Sequence, residues 1–448
     1  MGSRSTPAPQ SLADCATIIR DNNIHTVECL FTDTWGIPRG KRLPVEQFLS
    51  GAGFSMAAVA FSWNFRSEIE PTPWAEMDSE FADMRAVPDL QSFRLAGWSE
   101  GMASVMCDMH DGVTGEPIAL DGRGMVKKTI AEYRALGYEI DLATELEFHL
   151  FDENWVPISD KSFCYSMDRA DELEGVIGGI RKALTDSGIA VEASNVEYGP
   201  SQVEINLKYD RALAMLDNTI LFRHIVRRVA RQHGLNATFM AKPINGGAGS
   251  GMHVHQSLTD ANGNNLFAAK DSESHPVHSD LMRRYLSGIM AHHLDLQLIA
   301  LPTINDYKRI VDYSFSPTQV CWGLDNRLVG VRCITDAGPG TRLEVRWAAA
   351  DANPYLVAQG YLQAGLDGIL NDLPLQEIST GDPHVDASLT RVAPSLEIAL
   401  QNFVASTWNV KCFGKNFVET FAVMQTHELE TFAAWVSDWE TQRYRDVM

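Results

Sequence analysis

Four short stretches alternate charged and apolar residues with a period of two. Together they constrain the fold more than any other feature of the chain. "ATELEFHLF" sets Glu145, Glu147 and His149 against Leu146, Phe148 and Leu150. "SQVEINLKY" sets Gln202, Glu204, Asn206 and Lys208 against Val203, Ile205, Leu207 and Tyr209. "MHVHQSL" interleaves His253, His255 and Ser257 with Met252, Val254 and Gln256, and "TRLEVRW" interleaves Arg342, Glu344 and Arg346 with Leu343, Val345 and Trp347. A strand sends alternate side chains to opposite faces, so each stretch reads as a strand with one apolar and one functional face. A single strand of this kind is an ordinary solvated surface. Four of them imply one shared concave face lined with acids and imidazole.

Crowded carboxylates repel unless protonated or bridged by cations. Oxygen ligands with an imidazole and no cysteine suit Mg²⁺ or Mn²⁺ rather than zinc. Arg342 and Arg346 on the same faces suit an anion gripped bidentately. With the glycine-rich bend "NGGAGSGMH" just ahead of the histidines, the set points to phosphoryl transfer from a nucleotide. The bend has no GxxxxGKS or GxxxxGKT pattern and opens no helix, which argues against a P-loop. Its glycines read as close backbone approach to a ligand.

The 448 residues carry a formal net charge of −21, which argues against non-specific binding to nucleic acid or an anionic membrane. Seven scattered cysteines, none in a CxxC pair, fit a reduced cytoplasmic protein. No apolar run reaches the roughly 18 residues of a membrane span. "MGSRSTPAPQ" reads as part of a disordered tail over 1–12. A composition shift at "GVTGEPIALDGR" places a domain boundary near 112, giving domains over 13–112 and 113–448. Helical spacing is expected in "SLADCATIIRDNN", "GMVKKTIAEYRALG", "ELEGVIGGIRKALTDSG", "RALAMLDNTILFRHIVRRVARQHG" and "SDLMRRYLSGIMAHHLDLQLIA". One long amphipathic pattern, "NFVETFAVMQTHELETFAAWVSDWETQRY", closes the chain, and His292 and His293 read as ordinary helix residues.

The ordered motifs "FTDTWG", "ELEF", "GSGMHVHQSL", "NDYKR", "LEVRWAAADANPYL", "AGLDG" and "DWETQRY" resemble those of the glutamine synthetase family over nearly the whole chain. The resemblance implies an α+β fold: a small N-terminal β-grasp domain, then a catalytic domain with an antiparallel strand funnel. It implies two or three Mg²⁺ or Mn²⁺ ions per site, ATP as co-substrate, and a dodecamer of two hexameric rings with shared sites. Glu147, Glu197 and Glu204 match the ligands of one metal, and Glu145, His253 and Glu344 those of a second. His255, Ser257, Arg332 and Arg342 match ATP contacts; Gly249, Arg309 and Arg346 match glutamate-binding positions. Arg327 matches an arginine on the transferring phosphoryl group. Asp33 matches an aspartate offered to the incoming ammonium of a neighbouring subunit.

Two departures bear on the substrate. Glutamine-forming members carry a flap glutamate that here falls on Phe315, and no glutamate lies between Leu301 and Gly340. Phenylalanine cannot hold ammonium by charge, but it packs against alkyl groups and offers a π face to an alkylammonium. Ala248 stands where the usual motif has asparagine before Gly249. The expected activity is a glutamate–amine ligase forming a γ-glutamylamide, with methylamine favoured and Trp322 near the flap. Ordinary glutamine synthetase and a γ-glutamylpolyamine or γ-glutamylethanolamide synthetase are the rivals. Only Asp312 and Asp325 stand near the flap to hold a second ammonium.

Overall fold

The computed structural model describes residues 8–77, 81–269, 278–335 and 338–447. Its architecture is α+β, as expected. The N-terminal sheet uses β1 (Thr26–Thr32), β2 (Pro38–Pro44), β3 (Phe54–Ala57), β4 (Asp83–Pro88), β5 (Arg94–Leu95) and β6 (Met102–Asp111). Its order is β2-β1-β6-β4-β3, with β5 on β6, and β1 runs parallel to β6. The second sheet uses β7 (Glu139–Phe151), β8 (Val191–Val196), β9 (Gln202–Leu207), β10 (Asp210–Arg211), β11 (Asn236–Thr238), β12 (Met252–Thr259), β13 (Trp322–Leu324), β14 (Val331–Ile334) and β15 (Arg342–Val345). Its order is β13-β14-β15-β12-β7-β9-β8, with β10 and β11 also on β7.

The longer helices are α1 (Leu12–Asp21), α2 (Gly122–Ala135), α3 (Met167–Asp186), α4 (Ala212–Gln232), α5 (Asp280–Ala300), α6 (Pro354–Asn371), α7 (Leu396–Ala405), α8 (Thr407–Phe413), α9 (Lys415–Ala434) and α10 (Asp438–Tyr444). The apolar faces of β7, β9, β12 and β15 join these helices in one core: Leu146, Phe148, Ile205, Val254 and Val345 are all buried. Arg123 at the start of α2, 2% exposed, bridges the two sheets' surroundings by bonding Asp89 and Asp108 on one side and Asp217 of α4 on the other. None of the helices among the described residues is long and apolar enough to cross a membrane, and the seven cysteines are free.

Two expectations need correction. Of the stretch expected as a tail over 1–12, residues 1–7 lie outside the described residues, whereas Ser11 caps α1 and forms a capping box with Asp14. The closing pattern is not one helix. It breaks after Ala434, and a second capping box, Ser437 with Glu440, starts α10.

Candidate active site

The four alternating strands are neighbours in one sheet, in the order β15-β12-β7-β9. Their register pairs Glu145 with His253, Glu147 with Glu204, His255 with Glu344, and Glu344 with Arg332 of β14. Directly paired residues share a face, so the acids, imidazoles and arginines form one continuous surface. Glu197, just past β8, joins it: carboxylate oxygens of Glu147, Glu197 and Glu204 lie within 4.8 Å of one another.

The two halves of this surface differ in charge balance. Burial pushes the Glu147 carboxyl up to about 7 and that of Glu204 up to about 9, with repulsion from the neighbouring acids adding to both. Glu197 is raised for the same first reason, burial. Arg309 and Arg346 act on Glu147 without overcoming these effects, and the groups bonded to the cluster are neutral amides. The Gly251 amide donates to Glu147 at 2.7 Å, Asn195 to Glu197 at 2.7 Å and Asn206 to Glu204 at 2.9 Å. Three half-buried carboxylates with so little compensation fit a hard divalent cation.

Around Glu145 and Glu344 the balance is reversed. Burial works against ionisation there, but the imidazoles and arginines outweigh it and hold both carboxyls below the usual range. His255 Nε2 stands 2.9 Å from Glu145, while His253 Nδ1 lies 3.4 Å from both Glu145 and Glu344. Ligand atoms of Glu145, His255 and Glu344 lie within 4.8 Å of one another, so His255 stands beside these carboxylates along with the expected His253. Adjacent positions on one strand face give both rings access to the same two carboxylates.

The arginines ring this half. Arg332 donates to Glu344 at 3.0 Å and to Asp325 at 2.9 Å, and Arg342 donates to His255 at 3.2 Å. Arg346 also pairs with Glu344; it is buried, and its Nε has no partner. A buried guanidinium with an idle donor fits an anion. Ser257 follows His255 on the same face of β12. Arg327 is exposed in the turn between β13 and β14.

The glycine-rich bend serves Arg309. A Cβ at Gly249 would stand 2.6 Å from Arg309 Cγ, and one at Gly251 would stand 2.6 Å from its Nη2. Arg309 lies against the bend, buried, and donates to the Trp347 carbonyl at 3.2 Å. Gln202, outside the expected set, fastens the bend to β9 through the Gly249 carbonyl at 2.9 Å. Its place in an alternating strand was legible, but its bond to a distant loop was not.

The flap holds two bulky residues in left-handed backbone, Tyr313 at φ 65° and Phe315 at φ 59°. Its base is anchored: Asp312 pairs with Arg391 at 2.9 Å, and the Tyr313 ring lies 4.5 Å from His384. Phe315 is half exposed, with its ring 5.9 Å from that of Tyr198. Trp322, expected near the flap, is buried in β13 and donates its indole N–H to the Gln376 carbonyl.

Asp33 lies in the turn between β1 and β2. It is 1% exposed within its own chain and accepts from the Trp35 and Ile37 amides and from Arg39 at 2.9 Å. Burial nevertheless pushes its carboxyl up to about 6.

A family model described as the catalytic domain of glutamine synthetase matches residues 119–444. A glutamate–isopropylamine ligase from a Pseudomonas species is 36% identical over 450 residues, covering 96% of this chain and 97% of that one. A γ-glutamylethanolamide synthetase from Streptomyces coelicolor is 31% identical over 454 residues, covering 97% and 96%. A solved structure described as a GmaS–ADP complex is similar with a TM-score of 0.86 at 28% identity, covering 96% of this chain and 99% of that one.

Proposed function

Because this chain belongs to the glutamine synthetase family of ATP-dependent carbon–nitrogen ligases, we propose that it joins the γ-carboxylate of glutamate to a small primary alkylamine. The range runs from methylamine, the favoured substrate, to isopropylamine. The observation that carries the amine reading is Phe315 at the flap position, beside the acidic cluster and with no acid of its own.

Glu147, Glu197 and Glu204 would hold one divalent cation, and Glu145, His253 and Glu344 a second. Bound there, Mg²⁺ or Mn²⁺ neutralises phosphate charge and orients the γ-phosphoryl group. His255, Ser257, Arg332 and Arg342 are the ATP contacts. Arg309, Arg346 and the Gly249 bend hold glutamate, with the idle Arg346 Nε a donor for its carboxylate. Arg327, exposed in the turn between β13 and β14, would meet the transferring phosphoryl group.

In the first step the glutamate γ-carboxylate oxygen bonds to the γ-phosphorus as the bond to ADP breaks. In the second, the amine nitrogen bonds to the acyl carbon and phosphate leaves. Starting as an alkylammonium, the amine loses two protons overall, one to the leaving phosphate and one to water. An apolar flap over the acyl phosphate disfavours attack by water.

A diamine is disfavoured by the same geometry. Asp312 is taken by Arg391 and Asp325 by Arg332, which leaves neither of these acids free for a second ammonium. The dodecamer of two hexameric rings and the cytoplasmic location remain part of this proposal, carried by family resemblance. Phe315→Glu tests the flap. Ammonia use should rise at least about tenfold in kcat/KM relative to methylamine; unchanged ammonia kinetics would contradict the reading.

A further inference from the structure

Tyr198 has no part in the carboxylate and arginine sets above, yet it stands between them and the flap. It follows Glu197 directly, and its amide donates to the Glu197 carboxylate at 3.1 Å. Its carbonyl accepts from the Ser162 hydroxyl, and the Tyr165 amide donates to the Val196 carbonyl at 3.0 Å. The residue is therefore held from two sides, by the cluster and by the 162–165 segment. Its ring is 61% exposed all the same and tilts 58° to Phe315 across 5.9 Å.

Two half-exposed aromatic rings in tilted contact beside a half-buried acid cluster need an explanation. Water is a poor environment for both, and neither is consumed in the core. Phe315 reaches this position from a left-handed backbone that costs a bulky residue on the order of 1 kcal/mol or more. Strain of that kind persists where the side chain's placement is used. A ring pair also matches an alkylammonium chemically, with its π faces toward the cation and its apolar area toward the alkyl group.

We propose that Tyr198 is a specificity-determining residue. With Phe315 it forms an aromatic bracket that selects a monocationic alkylammonium over ammonium. The inference rests on the amine-ligase reading and adds a second wall to the amine site. Ammonium has no alkyl surface to lay against the exposed sides of the two rings, so the bracket gives it little. Each added carbon gives the rings more to hold, up to the size the bracket admits.

The test compares kcat/KM for isopropylamine, methylamine and ammonia in the full-length enzyme with ATP, glutamate and Mg²⁺. Tyr198→Ala should lower the isopropylamine-to-ammonia ratio at least about tenfold, the scale of lost apolar contact in a pocket. Tyr198→Phe should restore most of it, because the ring rather than the hydroxyl is used. The change should fall on the amine's KM. An equal rise in the KM values for ATP and glutamate would make Tyr198 a structural support and overturn the assignment. So would an unaltered ratio in Tyr198→Ala. If the unmodified enzyme itself preferred ammonia, the amine-ligase reading would fail first, so the two failures are distinguishable.

Discussion

Glu147, Glu197 and Glu204 are held together with only partial counter-charge, from Arg309 and Arg346 near Glu147, which opposes folding and favours cation binding. Replacing Glu204 with Gln removes one member of a repelling set. The metal-free Glu204→Gln protein should melt no lower than the parent, while its Mn²⁺-induced rise in Tm is lost or strongly reduced. Its activity should drop at least about a hundredfold, near the upper range seen when groups around a metal are altered. A variant that kept the full Mn²⁺-induced rise would contradict the ligand assignment. Glu147 and Glu204 were legible because strand alternation carries them. Glu197 lies just past β8, outside any alternating run, and was reached only through the family resemblance. At Asp33 the motif was readable, but the loop bonds that enclose its carboxylate were not. Tyr198 carried no signal, since a tyrosine beside a glycine in a turn is unremarkable until Phe315 faces it.

Among the elements, β7 does most to place the site, because its 13 residues pair with β9, β10, β11 and β12. Its period of two was plain in the sequence, and so was the helical spacing of α5. The helix α6 was not, because an apolar helix buried on nearly every side shows no stripe; its Asn353 cap and Pro354 are its local signals. α5 and α6 meet at Gly288, where a Cβ would stand 1.9 Å from the Ala364 carbonyl oxygen. Gly288→Ala should therefore destabilise by about 3 kcal/mol, the cost of overpacking, although Gly→Ala in an open helix gains about 1 kcal/mol. An unchanged Tm would show that the helices can part freely.

The same helix pair has a pH dependence through His292 of α5, which bonds Asp367 of α6 at 2.8 Å and Asp295 at 3.3 Å. Burial alone would lower its imidazole, but the two carboxylates outweigh burial and raise it. A raised pKa stabilises the fold fully below the unfolded value of about 6.5, and the gain is lost as pH rises through the folded value. The Tm difference between the parent and His292→Gln should shrink from about pH 6 to about pH 9 at fixed protein concentration. A difference that grew with pH would reverse the sign and contradict the pairing.

For the molecule as a whole, two sheets and a shared helical core turn four weak local patterns into one surface. The fold class, the strand face and the ligase family were readable from residue order. The flap's left-handed turn, the Gly249 contact with Arg309 and the His255–Glu145 contact depend on approaches between segments far apart in the chain. No local period encodes such contacts. The most direct measurement follows phosphate release with ATP, Mg²⁺ and glutamate while methylamine, ethylamine, isopropylamine, ethanolamine, putrescine and ammonia are supplied in turn. A glutamate–amine ligase with an aromatic flap predicts a small alkylamine with the highest kcat/KM, well above ammonia and putrescine. Ammonia with the highest kcat/KM would contradict the account and make the enzyme a glutamine-forming member of its family.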